Sequence, residues 1–231
     1  MYNHYKFITY PCKYQMRECE PWLSAQDLQL NYRIYQDCTD KLNIAVCGFD
    51  SLKNLTPEEL LYARLPRAIE SDVRRYAASY ILHSTYFATI SPCRDGVKMP
   101  CGKLREKIIG NYVSAEGFFY EIKRAATGLC GCGTVWLLTE KNGEITIAAT
   151  PDYDFPDLRK YKVLCCFDFW EHAYAARYGC NRAAYCDALM KLTDFRIVSK
   201  RYDKYTGNIA DGSKNLLEKG YAPKRHHGHH G

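Results

Sequence analysis

At 231 residues, with 47% hydrophobic and 14% aromatic residues, the chain can bury a substantial core as one domain or two tightly packed lobes. That composition excludes a disordered, collagen-like or low-complexity chain, and no apolar run reaches the roughly eighteen residues of a membrane-spanning helix, so no membrane partner is expected. The net charge is +6, and from Lys191 to Gly231 nine Lys and Arg stand against four acids, a bias that favours a polyanionic partner, RNA above all, with a merely solvated tail as the plain alternative.

The opening stretch MYNHYKFITYPCKY has neither the apolar centre of a secretion signal nor an Arg- and Ser-rich transit pattern, so the chain as given carries no readable address. Ser24 reads as the N-cap of a helix through LQLNYRIYQDCTDKL, where apolar and aromatic residues keep helical spacing. Thr56-Pro57-Glu58-Glu59 combines an N-cap, proline at the first helical position and a glutamate that closes a capping box. A buried helix follows through AASYILHSTYFATI, stopped by Ser91-Pro92. The first ninety or so residues are therefore read as helical.

After the polar loop CRDGVKMPCGK, one more helix is predicted through FFYEIKRAAT. The β-prone runs VWLLTE and EITIAAT flank Asn142-Gly143, which predicts a hairpin, and KVLCCFDF is placed as a strand beside it. Helices return from about Glu171 to Arg201. From Tyr202 onward Gly and Pro accompany few apolar residues, and the tail is expected to lie along a partner or stay mobile. The fold class is α+β, divided as an N-terminal helical domain (1–95), a C-terminal α/β domain (96–203) and a basic C-terminal extension (204–231).

The twelve cysteines stand mostly among apolar neighbours, as in Leu164-Cys165-Cys166-Phe167, where a reduced thiol packs as a small hydrophobe; this points to a reducing compartment. Cys130-Gly131-Cys132 with Cys93 and Cys101 is a conceivable soft-metal set, but no CxxC occurs and packing is the preferred explanation. Of seven histidines, four form the terminal HHGHH, read as a disordered or expression-derived run, and one is His4. His83 and His172 remain inside the folded region. A lone core histidine usually satisfies itself on a backbone carbonyl. Two of them with Asp168, four residues before His172, favour a shared metal, and nitrogen with carboxylate suits iron, manganese or zinc.

The stretch FDFWEHAYAARYGCNRAAY resembles the D-x-W-E-H-A-Y motif of the iron/manganese superoxide dismutases, including a later R-x-x-Y carried by Arg182 and Tyr185. CEPWLSAQDLQLNY, ILHSTYFATISP, GLCGCGTVWL and ITIAATPDYDFP are similar to further motifs of that family, in the family's order, from about residue 8 to 202. The resemblance implies a pair of long N-terminal helices and a C-terminal lobe of helices around a three-stranded antiparallel sheet. It implies one Fe or Mn held by three His and one Asp, cycling between two oxidation states to convert superoxide into oxygen and hydrogen peroxide. Three of those ligands fall on His83, Asp168 and His172, and the fourth falls on Asn31, a weaker donor than imidazole.

The family's solvent-holding glutamine falls at Ser79 or at Tyr153, so neither position supplies an amide. The residues guarding the substrate funnel fall near Tyr35 and Thr39; Phe87 and Thr134 replace two tryptophans, while Trp136 and Trp170 are kept. Such outer partners matter by about ten- to a hundredfold each, so ordinary turnover is not expected. The resemblance also places Glu171 against a ligand histidine across a dimer interface, reciprocally with the partner's copy of His172. Dimer architecture is thus the preferred reason for the persistence of FDFWEHAY.

The expected function is that of a catalytically degenerate dismutase-like protein serving as a structural subunit of a large assembly. The resemblance suggests the mitochondrial small ribosomal subunit, with a dismutase-like dimer partner (self or paralogue), and with ribosomal proteins and rRNA met through the basic C-terminal region. The cofactor is none, or residual Fe/Mn. An active or residual superoxide dismutase is the alternative. A two-His-one-carboxylate oxygenase ranks last.

Overall fold

The structure, a computed structural model, describes residues 7–92 and 99–207. His4, Cys93, the terminal HHGHH and nearly all of the basic extension lie outside the described residues.

Helix α1 (Ala25–Cys47) begins at Ser24, whose hydroxyl accepts from the Gln26 and Asp27 amides, as the N-cap reading requires. Its buried positions Leu28, Asn31, Tyr35, Cys38, Leu42 and Val46 recur every three to four residues, and this stripe packs on α3 (Glu70–Thr89). The capping box at Thr56 forms as expected, with Glu59 reaching back to the Thr56 amide, yet it opens only the short α2 (Pro57–Leu60). The long helix starts separately at Glu70. Pro66 lies in the intervening stretch, and its missing amide hydrogen and fixed φ interrupt a continuous helix. From Ala77 to Phe87 nearly every side chain of α3 is buried, so this helix runs through the centre of the molecule.

Helix α4 (Gly102–Tyr112) covers residues left unassigned above, because its apolar stripe is reduced to Leu104 and Ile108 between two glycines. Helix α5 (Ala115–Gly128), capped by Ser114, buries Phe118, Ile122 and Ala126. The hairpin forms as predicted from β1 (Gly133–Thr139) and β2 (Ile145–Pro151), and β3 (Lys162–Asp168) pairs antiparallel on the other side of β1. The central strand is buried along its whole length. Gly133 is needed where β1 starts, since a β-carbon there would collide with the Thr150 carbonyl oxygen.

A 3-10 turn (Glu171–Ala173), the short α6 (Ala175–Tyr178), α7 (Arg182–Leu192) and α8 (Phe195–Tyr205) complete the lobe. The tail is corrected at its start: α8 continues through Tyr205, beyond the boundary drawn at residue 203. Tyr202 is buried there and its hydroxyl donates to the Gly143 carbonyl at 2.8 Å, locking α8 onto the hairpin turn. The architecture is α+β with a three-stranded antiparallel sheet. Among the described residues no helix is long and apolar enough to cross a membrane.

Candidate metal centre

Four residues from four elements meet in the interior: Asn31 on α1, His83 on α3, Asp168 at the end of β3 and His172 in the 3-10 turn. Ligand atoms of His83, Asp168 and His172 lie within 4.8 Å of one another, and no other such group occurs among the described residues. The Cys130 and Cys132 alternative therefore gathers no metal-binding cluster there; Cys130 is exposed and Cys132 half-buried, both on the loop before β1.

The ring of His83 is oriented by its own helix. Its Nδ1 stands 2.7 Å from the Ser79 carbonyl oxygen, and a carbonyl only accepts, so Nδ1 carries the hydrogen and Nε2 of the neutral ring offers a lone pair. That Nε2 is buried without a partner. Burial pushes the His83 imidazole below its ordinary pKa, outweighing the pull of Asp168. The ring stacks against Tyr35 at 6.1 Å. The two gate positions named in the sequence are closed in upon themselves: Tyr35 and Thr39 are buried, and the Thr39 hydroxyl donates to the Tyr35 carbonyl at 2.7 Å.

Asp168 is wholly buried. Burial alone would hold its carboxyl protonated, but the nearby His172 and His83 and the Trp170 amide outweigh it, and its pKa falls below the usual carboxylate range. Its Oδ1 accepts from the Trp170 amide at 2.9 Å, and its Oδ2 accepts from Nδ2 of Asn31 at 3.0 Å. His172 Nε2 lies 3.5 Å from the same Oδ2, close enough for attraction and too long for a good hydrogen bond. It too is buried without a hydrogen-bond partner, as is Oδ1 of Asn31.

The outer positions Ser79, Tyr153, Trp136 and Trp170 line one small pocket together with His83 and His172. Ser79 faces Nδ1 of His83 at 3.2 Å, the side of the ring turned away from the shared centre. Tyr153 is 46% exposed and packs on Trp170, with ring centroids 4.8 Å apart. Trp136 is buried and donates from Nε1 to the Thr150 hydroxyl at 2.8 Å. Glu171 is exposed, and His172 beside it is half-buried with its Nε2 buried.

Residues 100–201 match the family profile described as "Iron/manganese superoxide dismutases, C-terminal domain". The chain is 31% identical over 189 residues to "Superoxide dismutase [Fe]" of Bacteroides fragilis, covering 81% of this chain and 95% of the relative. The chain belongs to the iron/manganese superoxide dismutase family. Its similarity to "Superoxide dismutase [Mn]" of Thermus thermophilus is 26% over 205 residues, which is 85% of this chain and all of the relative. To "Superoxide dismutase [Mn/Fe]" of Porphyromonas gingivalis it is 35% over 133 residues, 58% of this chain and 69% of the relative.

Within the family fold, the residues present fit a small cation through three donors. Two buried, unpartnered imidazole nitrogens and a buried carboxylate converge, and that donor chemistry suits the Fe or Mn for which these relatives are named. Asn31 gives its Nδ2–H to Asp168 and leaves its buried Oδ1 without a partner, so the fourth corner offers at most an amide oxygen, a weaker donor than imidazole. His83, Asp168 and His172 would hold the ion, and bound Fe or Mn would supply one-electron redox chemistry. The protein's own part is to hold His83 in one tautomer and to keep the Asp168 carboxylate ionised. What the sequence did not reveal is that Asn31 is a hydrogen-bond donor to Asp168. The available signal was an amide in the middle of the buried stripe of α1, where a polar group needs a partner.

Proposed function

We propose that this chain is a dismutase-fold subunit that has left rapid superoxide turnover and serves as a structural component of a larger assembly. The observation that carries this is the hydrogen bond from Asn31 Nδ2 to Asp168 Oδ2. It satisfies the inward carboxylate oxygen with an internal donor at the corner the resemblance assigns to a fourth metal ligand. Ser79 and Tyr153 support the same reading, since both line the pocket beside His83 and neither carries the amide that the resemblance expects there. The assembly is taken to be a ribosomal small subunit in the mitochondrion, with a second dismutase-like chain, identical or paralogous, docked at Glu171 and His172. The support is the positive excess from Lys191 onward, suited to phosphate contacts. The fold then acts as scaffold, and the surfaces and extension carry the function.

A second reading, an Fe/Mn superoxide dismutase of reduced activity, is favoured by the convergence of His83, Asp168 and His172 with their unpartnered Nε2 atoms. Metal analysis of the purified protein together with a superoxide assay separates the two. Substoichiometric metal and no turnover, with co-sedimentation on ribosomal particles, is the outcome expected. One Fe or Mn per chain with rapid turnover overturns the scaffold reading.

A further inference from the structure

A second cavity lies where the N-terminal helices meet the C-terminal lobe, and it shares no lining residue with the pocket at His83 and His172. Its volume is about 410 Å³, and its walls come from α2, α3, the stretch 158–163 and α8. Clefts of roughly 300–1,000 Å³ at such junctions are where small ligands bind.

The charged groups around it divide into engaged and free ones. Arg159 is held by both oxygens of the Asp157 carboxylate, at 2.8 and 3.0 Å, and lies over the Tyr62 ring. Glu59 closes the capping box at Thr56. Arg201, Lys162 and Glu58 are left, and none of the three forms an ion pair among the described residues. Arg201 is half-buried and donates from Nη1 to the Leu164 carbonyl at 2.9 Å, which fixes the guanidinium while the rest of its fork meets no carboxylate. Such a fork is suited to bidentate capture of a phosphate or carboxylate. Lys162, exposed at the start of β3, adds a second positive charge. Tyr205 supplies a half-buried ring between the two signs. Burial pushes its phenol above the ordinary pKa, Arg201 pulls it down and Glu58 adds to the rise, so both charges lie within electrostatic reach of this ring.

We propose that this cleft binds a mononucleotide, with the phosphate on Arg201 and Lys162, the base against the Tyr205 ring, and a sugar hydroxyl or base amino group donating to Glu58. The lining discriminates among ligand classes. An inorganic anion leaves the ring and most of the volume unused, an apolar molecule leaves Arg201 unpaired, and a simple aromatic acid gives Glu58 no donor. A nucleotide presents an anion, a planar ring and O–H or N–H donors in one molecule of suitable size. It is taken up either free or as an unstacked residue of an RNA strand. The inference makes no use of the metal pocket and holds for a scaffold and for a residual enzyme alike.

Calorimetric titration of the full-length protein with AMP, GMP, CMP and UMP tests this, with adenosine and inorganic phosphate as half-ligands. At least one mononucleotide should bind saturably at one site per chain, and each half-ligand at least about tenfold more weakly. Tyr205→Leu removes the ring and should weaken binding about fivefold to a hundredfold, the range of base–aromatic stacking, whereas Tyr205→Phe keeps the ring and should bind as the parent does. Lys162→Glu should weaken binding about tenfold or more; the position is exposed, so this variant reports on binding even where Tyr205→Leu does not fold. Displacement of the nucleotide by a short oligoribonucleotide identifies the source as RNA, and failure to displace it identifies a free nucleotide. No saturable binding, phosphate bound as tightly as the nucleotide, or binding that Lys162→Glu and Tyr205→Leu leave unchanged overturns the proposal. None of these measurements depends on metal content, dismutase activity or ribosome association, so the proposal can fail while the functional reading stands.

Discussion

Asn31 on α1 and Asp168 at the end of β3, 137 residues apart in sequence, are joined by an amide-to-carboxylate hydrogen bond of 3.0 Å in the buried centre of the protein. The contact ties the N-terminal helices to the sheet of the C-terminal lobe. Each oxygen of the fully buried carboxylate thereby receives an N–H, one from Asn31 and one from Trp170. Changing this one residue therefore acts on stability and on metal affinity at once.

Asn31→Ala removes the donor and leaves the buried carboxylate short of one bond, at a cost of about 1–3 kcal/mol, to be read as a lower midpoint in guanidinium melts. Asn31→Asp sets a second carboxylate against the first; it is expected to destabilise strongly at neutral pH and to recover as pH falls and one group takes up a proton. Asn31→His supplies the family's imidazole. It should raise Fe or Mn content more readily than superoxide turnover, since Ser79 and Tyr153 still contribute no amide at the solvent position. Turnover restored in proportion to metal content would contradict this.

Stability should fall as pH drops below about 6.5, the ordinary histidine value. Burial holds the folded His83 below that value, so below it the unfolded chain binds a proton that the folded chain refuses. The contribution is complete above the unfolded pKa and is lost as pH falls toward the folded one. Asp168 acts in the same sense at lower pH, because its folded pKa is depressed and its contribution is complete above about 3.9. Urea melts from pH 8 to pH 5 test the first step. Replacing His83 with Gln should flatten that slope, and an unchanged slope would assign it elsewhere.

The thiols should divide by burial. Desolvation pushes Cys19, Cys165 and Cys186 up to about 12 and Cys38 up to about 11, with Cys166 raised well above the ordinary value. Cys47, Cys101, Cys130 and Cys180 are exposed. Treatment of the native protein with DTNB at pH 7.5 (about one unit below an ordinary thiol), followed by peptide mapping, should label the exposed group quickly and the buried group only after unfolding. Rapid labelling of Cys165 or Cys166 would mean that the sheet opens under native conditions.

The lock between α8 and the hairpin predicts a coupled pair. Gly143 has φ of 87°, and a β-carbon on it would lie 2.9 Å from the Tyr202 hydroxyl. Gly143→Ala should cost about 1–3 kcal/mol from left-handed strain and displacement of that hydroxyl. Tyr202→Phe should cost about 1–2 kcal/mol by leaving the Gly143 carbonyl unpaired. The double variant should lose less than the two single losses combined, because both break one contact; full additivity in denaturant melts would argue against a shared contact.

The sequence by itself determined the elements whose signals are local. The Ser24 cap, the capping box at Thr56 and the Asn142-Gly143 turn form as read, because each depends on residues only a few positions apart. Long-range motif order pointed to His83, Asp168 and His172 as neighbours, which the folded chain brings within 4.8 Å. Local signals misjudged two termini. The Thr56 box opened only one turn of helix, and the apparent tail at Tyr202 proved to be a docked helix, because its stabilising partner, Gly143, is 59 residues away. The chemistry of the pocket was decided only by tertiary structure. Whether Asn31 turns an oxygen or an N–H to Asp168 depends on what its side chain meets across α1 and the sheet. A hydrogen bond has direction, and spacing along a chain does not encode it.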